Sequence, residues 1–260
     1  MFEPIADPAR ARILVTNDDG INAPGLATLE GIASALSGDV WTVAPETEQS
    51  AAAHALTLRR PLRLRRVDER SYAVDGTPTD CVLLAVRHLL TDRRPTLMLS
   101  GVNRGGNLGE DVTYSGTVAA AIEGTLLGVP SVALSQLAGP HDAVRWETAR
   151  AWGPDLLRRV TARGWPAQVL ININFPDRAP DDVTGVVAAR EGRRAPGGDA
   201  VERVDPRGEP YIWIGVQGDE EAGTPGTDIS AVTGGAVAVT PLSVELTHFE
   251  TLADLETICP

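Results

Sequence analysis

An apolar run that stops abruptly on two adjacent acids sets the frame for this chain. In ILVTNDDGINAPGL, residues 13 to 26, Ile13-Leu14-Val15 gives way to Asn17, Asp18, Asp19 and Gly20. A short continuous apolar run bounded by turn residues reads as a buried strand. Pro24 and the periodic apolar residues after it read as the opening of a helix. The same alternation recurs, with strands expected at 39–44, 96–99, 130–135 and 168–173 and helices at 77–90, 115–127 and 144–162. Repeated strand–helix–strand units predict an α/β protein with a mostly parallel, doubly wound sheet. Residues 58–75, with Arg and Leu alternating, read as extended strands with one wet face. From about residue 178 Gly, Pro and charged residues rise, and strand-like pieces remain at 183–189, 210–216 and 236–240. These predict a β-hairpin arm rather than a second core, so the 260 residues read as one domain, with a core over about 12–177 and an oligomerisation arm over about 178–260. Such arms often exchange between subunits.

Composition mainly excludes. A 43% hydrophobic content supports a large core, yet no apolar run has the length to span a bilayer. MFEPIADPARAR lacks the apolar centre of a signal peptide. The two cysteines, Cys81 and Cys259, are far apart, which argues against a disulfide framework or a thiolate zinc site. A cytoplasmic protein is expected. The net charge of −12 disfavours tracking along nucleic-acid polymers. A small anion drawn in by a metal remains compatible with it. All 23 basic residues are arginine, and without a lysine neither a P-loop nor Schiff-base catalysis can operate.

In an open α/β sheet the loops at the carboxyl ends of the strands converge on one edge. Three such loops carry Asp18-Asp19, then Ser50 in ETEQSAAAH, then Asn103 in SGVNRGGN. One acid would serve a helix-entry turn; two in tandem repel each other, and a divalent cation would offset that cost. Two carboxylates, a hydroxyl and an amide are all oxygen donors, a set suited to Mg²⁺, Mn²⁺ or Ca²⁺. Taken singly, Ser50 and Asn103 read as loop or turn residues. The glycine-rich stretch from Gly101 leads into Ser115-Gly116-Thr117 at a helix start, where backbone N–H groups and the dipole favour an anion. The alternative is that Ser115 merely caps its helix. A cation beside an anion-binding helix end suggests phosphoryl hydrolysis, and either aspartate could add a base or a nucleophile. His54, four residues after Ser50, could approach a substrate or be a solvated loop histidine. His88, His141 and His248 show no metal spacing, and the arginines between Arg59 and Arg66 read as a solvated strand face.

Taken together, ILVTNDDGINAPGL, APETEQSAAAHALT, YAVDGTPTDCV, SGVNRGGNLGEDVTYSGTVAAAIEGTLLGVPSVALS, NINFP and GTDISAVTGGAVAVTPLSVELT resemble the SurE family, in order from about residue 12 to 247. The resemblance implies a Rossmann-like, three-layer α/β/α core. It also implies a metal-dependent phosphatase of nucleoside 5′- and often 3′-monophosphates, forming homodimers or homotetramers with exchanged C-terminal segments. One Mg²⁺ or Mn²⁺ per subunit would be held by Asp18, Asp19, Ser50 and Asn103, with Asp18 and Asp19 catalytic. Asn17, Asn107, Ser115, Gly116 and Thr117 would line the phosphate pocket. The chain departs from the family at Ala51-Ala52-Ala53, where a glycine is common, and at Arg104-Gly105-Gly106. A broad acid phosphatase or exopolyphosphatase, and a non-catalytic nucleotide-binding stress module, are the alternatives.

Overall fold

The computed structural model describes residues 1–139, 143–193, 200–214 and 224–259. His141 and the far end of the strand expected at 210–216 lie outside these residues. Eleven strands and six α-helices are described. The first half runs β1 (Arg12–Thr16), α1 (Pro24–Ser34), β2 (Asp39–Pro45), β3 (Leu64–Arg66), β4 (Ser71–Val74) and α2 (Pro78–Leu84). It continues through β5 (Leu97–Arg104), α3 (Gly116–Leu126), β6 (Ser131–Gln136), α4 (Trp146–Thr161) and β7 (Val169–Phe175). The remainder holds β8 (Val186–Ala188), β9 (Ala200–Val204), β10 (Pro210–Ile214), α5 (Asp228–Thr233), β11 (Val237–Ser243) and α6 (Phe249–Glu256).

Nine strands form one sheet in the order β3-β4-β2-β1-β5-β6-β7-β11-β8. The six from β4 to β7 are mutually parallel, with β1 seated between β2 (Ile13 against Val40) and β5 (Ile13 against Leu97). Alternation along β1 sends Ile13 and Val15 into the cluster under α1 and α4, and Leu14 into the one under α2 and α3. That is why the strand reads as a continuous apolar run: both faces are covered. The fold is therefore the expected α/β class, a mostly parallel sheet with helices on both faces.

Local chemistry sets the helix starts. Thr77 caps α2 in a capping box with Asp80, and Ser115 caps α3 through Val118 N–H at 3.0 Å. The helix expected over 77–90 is α2 continued by a wider π turn at Ala85–Leu89. β5 runs further than its apolar stretch, through Asn103 and Arg104, with a register shift between Ser100 and Asn103. The loop expected there is thus partly strand, and the bulge re-aims the residues after Ser100.

The three pieces expected beyond residue 178 have different fates. β11 pairs antiparallel with β7 from Ala238↔Asn174 to Ser243↔Val169, and β8 pairs parallel with β11. Buried Val237 and Ala238 extend the apolar sheet here. Only β9 and β10 stand apart, as an antiparallel two-stranded sheet carrying exposed Ile212, Trp213 and Ile214. Among the described residues no helix is long and apolar enough to cross a membrane.

A candidate metal and phosphate site at the switch point

After β1 the chain moves one way to β2, and later returns to lay β5 on the other side of β1. Such a reversal opens a crevice beyond the carboxyl ends of the strands. A cleft of about 1320 Å³ lies there, and Asp18, Asp19, Ser50, Asn103, Asn107 and Ser115 all line it. Asn17, Gly116 and Thr117 do not; they sit behind the wall and brace it.

Asp18 is buried, and its carboxylate accepts hydrogen bonds from the Thr117 hydroxyl and from the N–H groups at Gly116 and Thr117. The first turn of α3 therefore holds a carboxylate of the protein, the electrostatic role its dipole favours. A Cβ on Gly116 would stand 2.7 Å from Asp18 Cβ, so only glycine admits this approach. Burial pushes the Asp18 carboxyl above its ordinary value, and those hydrogen bonds pull it back. Asp19 is partly open, and burial, then the Asp18 charge, raise it to about 6 against the N–H of Arg104. Asn17 donates to Gly20 O at 2.9 Å, closing the turn, while its Oδ1 is buried with no partner.

Ser50 reaches the cleft from the loop after β2, where its hydroxyl donates to Glu48 Oε1 at 2.8 Å. Ala51 and Ala53 hold φ of 57° and 47°, the left-handed region that glycine enters more easily. The alanines that depart from the family pattern thus occupy glycine-like backbone. Asp80 ties this loop down by accepting from Thr57 N–H at 3.0 Å. His54 does not line the cleft. It pairs with Glu123 of α3 at 3.0 Å and anchors the loop. Asn103 spends its amide N–H on Gly105 O at 3.0 Å. Its carbonyl oxygen is the end left to serve as a donor to a cation.

Sequence reasoning missed the supports. Asn107 donates its backbone N–H to Asn174 Oδ1 at 2.9 Å and its side-chain amide to Ser135 Oγ at 2.7 Å. Its carbonyl accepts from Asn172 and Asn174 at 2.9 and 3.1 Å. The signal was there: two asparagines in a buried strand, on the same face, where apolar residues belong. Asp228, in the GTDIS segment, accepts from Gly109 N–H at 3.1 Å and Gly192 N–H at 2.7 Å, tying the β5–α3 loop to the C-terminal part of the chain.

Every side-chain donor of the four-residue group is oxygen, which fits a hard divalent ion and excludes a thiolate or imidazole site. Among the described residues no three His, Cys, Asp or Glu gather into a metal-holding group. An ion in the cleft would thus have two charged protein ligands and open positions for water or phosphate. That is the coordination habit of Mg²⁺ rather than of a closed all-protein cage.

A doubly wound parallel sheet with paired carboxylates, a hydroxyl and an amide gathered at its switch point defines an α/β protein with an oxygen-lined ligand crevice. The profile of the family described as Survival protein SurE matches residues 13–197. The chain belongs to the SurE family. It is 61% identical over 257 residues to the 5′-nucleotidase SurE of Paramagnetospirillum magneticum, covering 98% of both chains. To the 5′-nucleotidase SurE of Rhodospirillum rubrum it is 56% identical over 258 residues, again covering 98% of both. The crystal structure of the SurE protein from Aquifex aeolicus superimposes with a TM-score of 0.84 at 37% identity, covering 95% of this chain and 99% of that one.

Proposed function

We propose that this chain is a divalent-metal-dependent 5′-nucleotidase that releases phosphate from nucleoside 5′-monophosphates, and from 3′-monophosphates as well. The observation that carries the reading is the meeting of Asp18, Asp19, Ser50 and Asn103 in one cleft, in a chain whose relatives are 5′-nucleotidases. Those four residues would hold one Mg²⁺ or Mn²⁺ per subunit. Bound there, the ion supplies Lewis acidity toward the phosphoryl oxygens and acidifies water.

The chain's own groups do the rest. Gly116 and Thr117 fix Asp18, so its carboxylate is oriented before substrate arrives. Asp19 is the more open of the two acids and the one able to meet a water molecule. Asn107, locked by Asn172, Asn174 and Ser135, and Ser115 at the mouth of α3 would face the phosphate. Asn17 braces the turn that aims both acids. Glu46, Glu48 and Asp111 also line the cleft. A chain of phosphates would be repelled there, which favours a monoester over polyphosphate.

Phosphate release from 5′-AMP with Mn²⁺ or Mg²⁺, then with excess EDTA, tests this reading. Release that EDTA abolishes and added metal restores is the expected result. Release that persists in EDTA would remove the metal; none from folded, metal-loaded protein would remove the nucleotidase and leave a nucleotide-binding module.

We further propose a homodimer or homotetramer built by exchanging C-terminal segments. Helix α6 exposes Phe249, Leu252 and Leu255, and the β9–β10 hairpin exposes Val204 and Ile212 to Ile214. An apolar hollow of about 990 Å³ beside α3 is lined by Val118, Ile122, Leu170 and Leu242. Light scattering is expected to give a dimer or larger, and the double variant Leu252→Ser, Leu255→Ser a smaller species. A monomeric wild type would refute the assembly.

A further inference from the structure

Two aromatic side chains line the cleft, Tyr114 and Trp146. Packing accounts for Trp146: it belongs to the cluster under α1, with its Cη2 3.0 Å from where a Cβ on Gly25 would stand. Packing does not account for Tyr114. Its side chain is in none of the hydrophobic clusters of the described residues, and 58% of the residue is exposed.

The ring nevertheless rests on a rigid base. The N–H groups of Tyr114 and Ser115 both donate to Asp111 O at 3.0 Å, and Ser115 caps α3. Tyr114 stands two residues before Gly116, the glycine pressed against Asp18. A phosphate near Asp18 and Ser115 would therefore leave the rest of its ester along the wall that Tyr114 occupies. The cleft lining also includes Glu46, Glu48 and Asp111 alongside Arg104, which suits an uncharged sugar and base better than a second phosphate. An exposed aromatic ring on a hydrogen-bonded backbone beside a phosphate position can serve as a stacking platform for a planar ring, and stacking tolerates any base.

Resting on the nucleotidase reading above, we infer that Tyr114 is the platform on which the nucleobase of the substrate stacks. It is a binding residue, distinct from the groups that act on phosphate.

The test compares 5′-AMP with ribose 5-phosphate, which has the phosphate and the sugar but no base, in wild type, Tyr114→Ala and Tyr114→Phe with Mn²⁺. In Tyr114→Ala the ratio of kcat/KM for 5′-AMP to that for ribose 5-phosphate is expected to fall about tenfold, the size of one base–aromatic stack. The fall is carried by KM, and Tyr114→Phe keeps the wild-type ratio. An unchanged ratio in Tyr114→Ala, or an equal loss on both substrates, overturns the inference, the latter marking a structural role. If folded wild type hydrolyses neither substrate, the nucleotidase reading has failed separately. An NMR titration with adenosine, which needs no turnover, then decides. Binding by wild type and Tyr114→Phe but not Tyr114→Ala supports the platform, and no binding by wild type overturns it.

Discussion

Asp18→Asn and Asp19→Asn proteins are expected to lose phosphate release by about a hundredfold or more while keeping the fold. Each change removes one of the two carboxylates among the four residues proposed to hold the ion, so the affinity for Mn²⁺, followed by calorimetry, falls with the activity. The companion effect is on stability. Without metal, burial and the Asp18 charge hold Asp19 near 6, above its ordinary 3.8. A carboxyl raised on folding binds more protons in the native state between those values, so stability from this group rises as pH drops from about 6 toward 4 and is lost above. At neutral pH the ionised Asp19 is a penalty. Halved for solvent at a partly open group, it is about 1–2 kcal/mol. Metal-free Asp19→Asn is therefore expected to melt roughly 2–6 °C higher than metal-free wild type at pH 7.5, with the gap closing toward pH 4. Equal melting at both pH values would remove the electrostatic account; wild-type turnover would remove the metal assignment.

Gly25→Ala is expected to cost about 2–4 kcal/mol and to lower the melting temperature by roughly 5–15 °C. The cause is steric. A Cβ at Gly25 would run into the carbonyl oxygen of Val102 and press on Trp146, so α1 would have to move off β5. Those two elements carry opposite sides of the site, the aspartate loop before α1 and Asn103 in β5. Activity is therefore expected to fall further than stability alone explains, through misplaced donors. Gly31→Ala in the same helix is the control. No atom lies within 4 Å of a Cβ there, and alanine is expected to stabilise by about 0.5–1 kcal/mol, since glycine is a poor helix former. Thermal melts of the two variants decide; equal shifts would mean that the contact between α1 and β5 does not set this position.

The local part of this architecture was legible. The run from Ile13 to Gly20 betrays a strand and its ligand-facing end because a strand buried on both faces leaves a continuous apolar signature and its loop does not. Asn103 and Ser50 were legible only jointly, since each alone reads as a turn residue. What sequence hid was non-local. Nothing near Thr117 says that its hydroxyl meets Asp18, 99 residues away, and nothing near Asp228 says that it holds Gly109. The pieces 183–189 and 236–240 read as an arm because they are short and set among glycines. Their place in the main sheet follows from the exposed flank of β7, which no local pattern reveals. Ala51 and Ala53 show the converse: loop geometry there overrides residue preference.

The position of β11 bears on how the molecule is made. The residues from 237 to 243 leave the ribosome well after β8, yet β11 lies between β7 and β8. While the chain is being synthesised, β8 has no neighbour to join and the flank of β7 stays open. The nascent protein therefore carries an unpaired strand edge until its last sheet element emerges, the kind of surface on which two growing chains can pair wrongly. Closing that edge is a long-range event, slow compared with the local β–α units that precede it. The longer the interval before residue 243 emerges, the longer that edge is exposed to such mispairing.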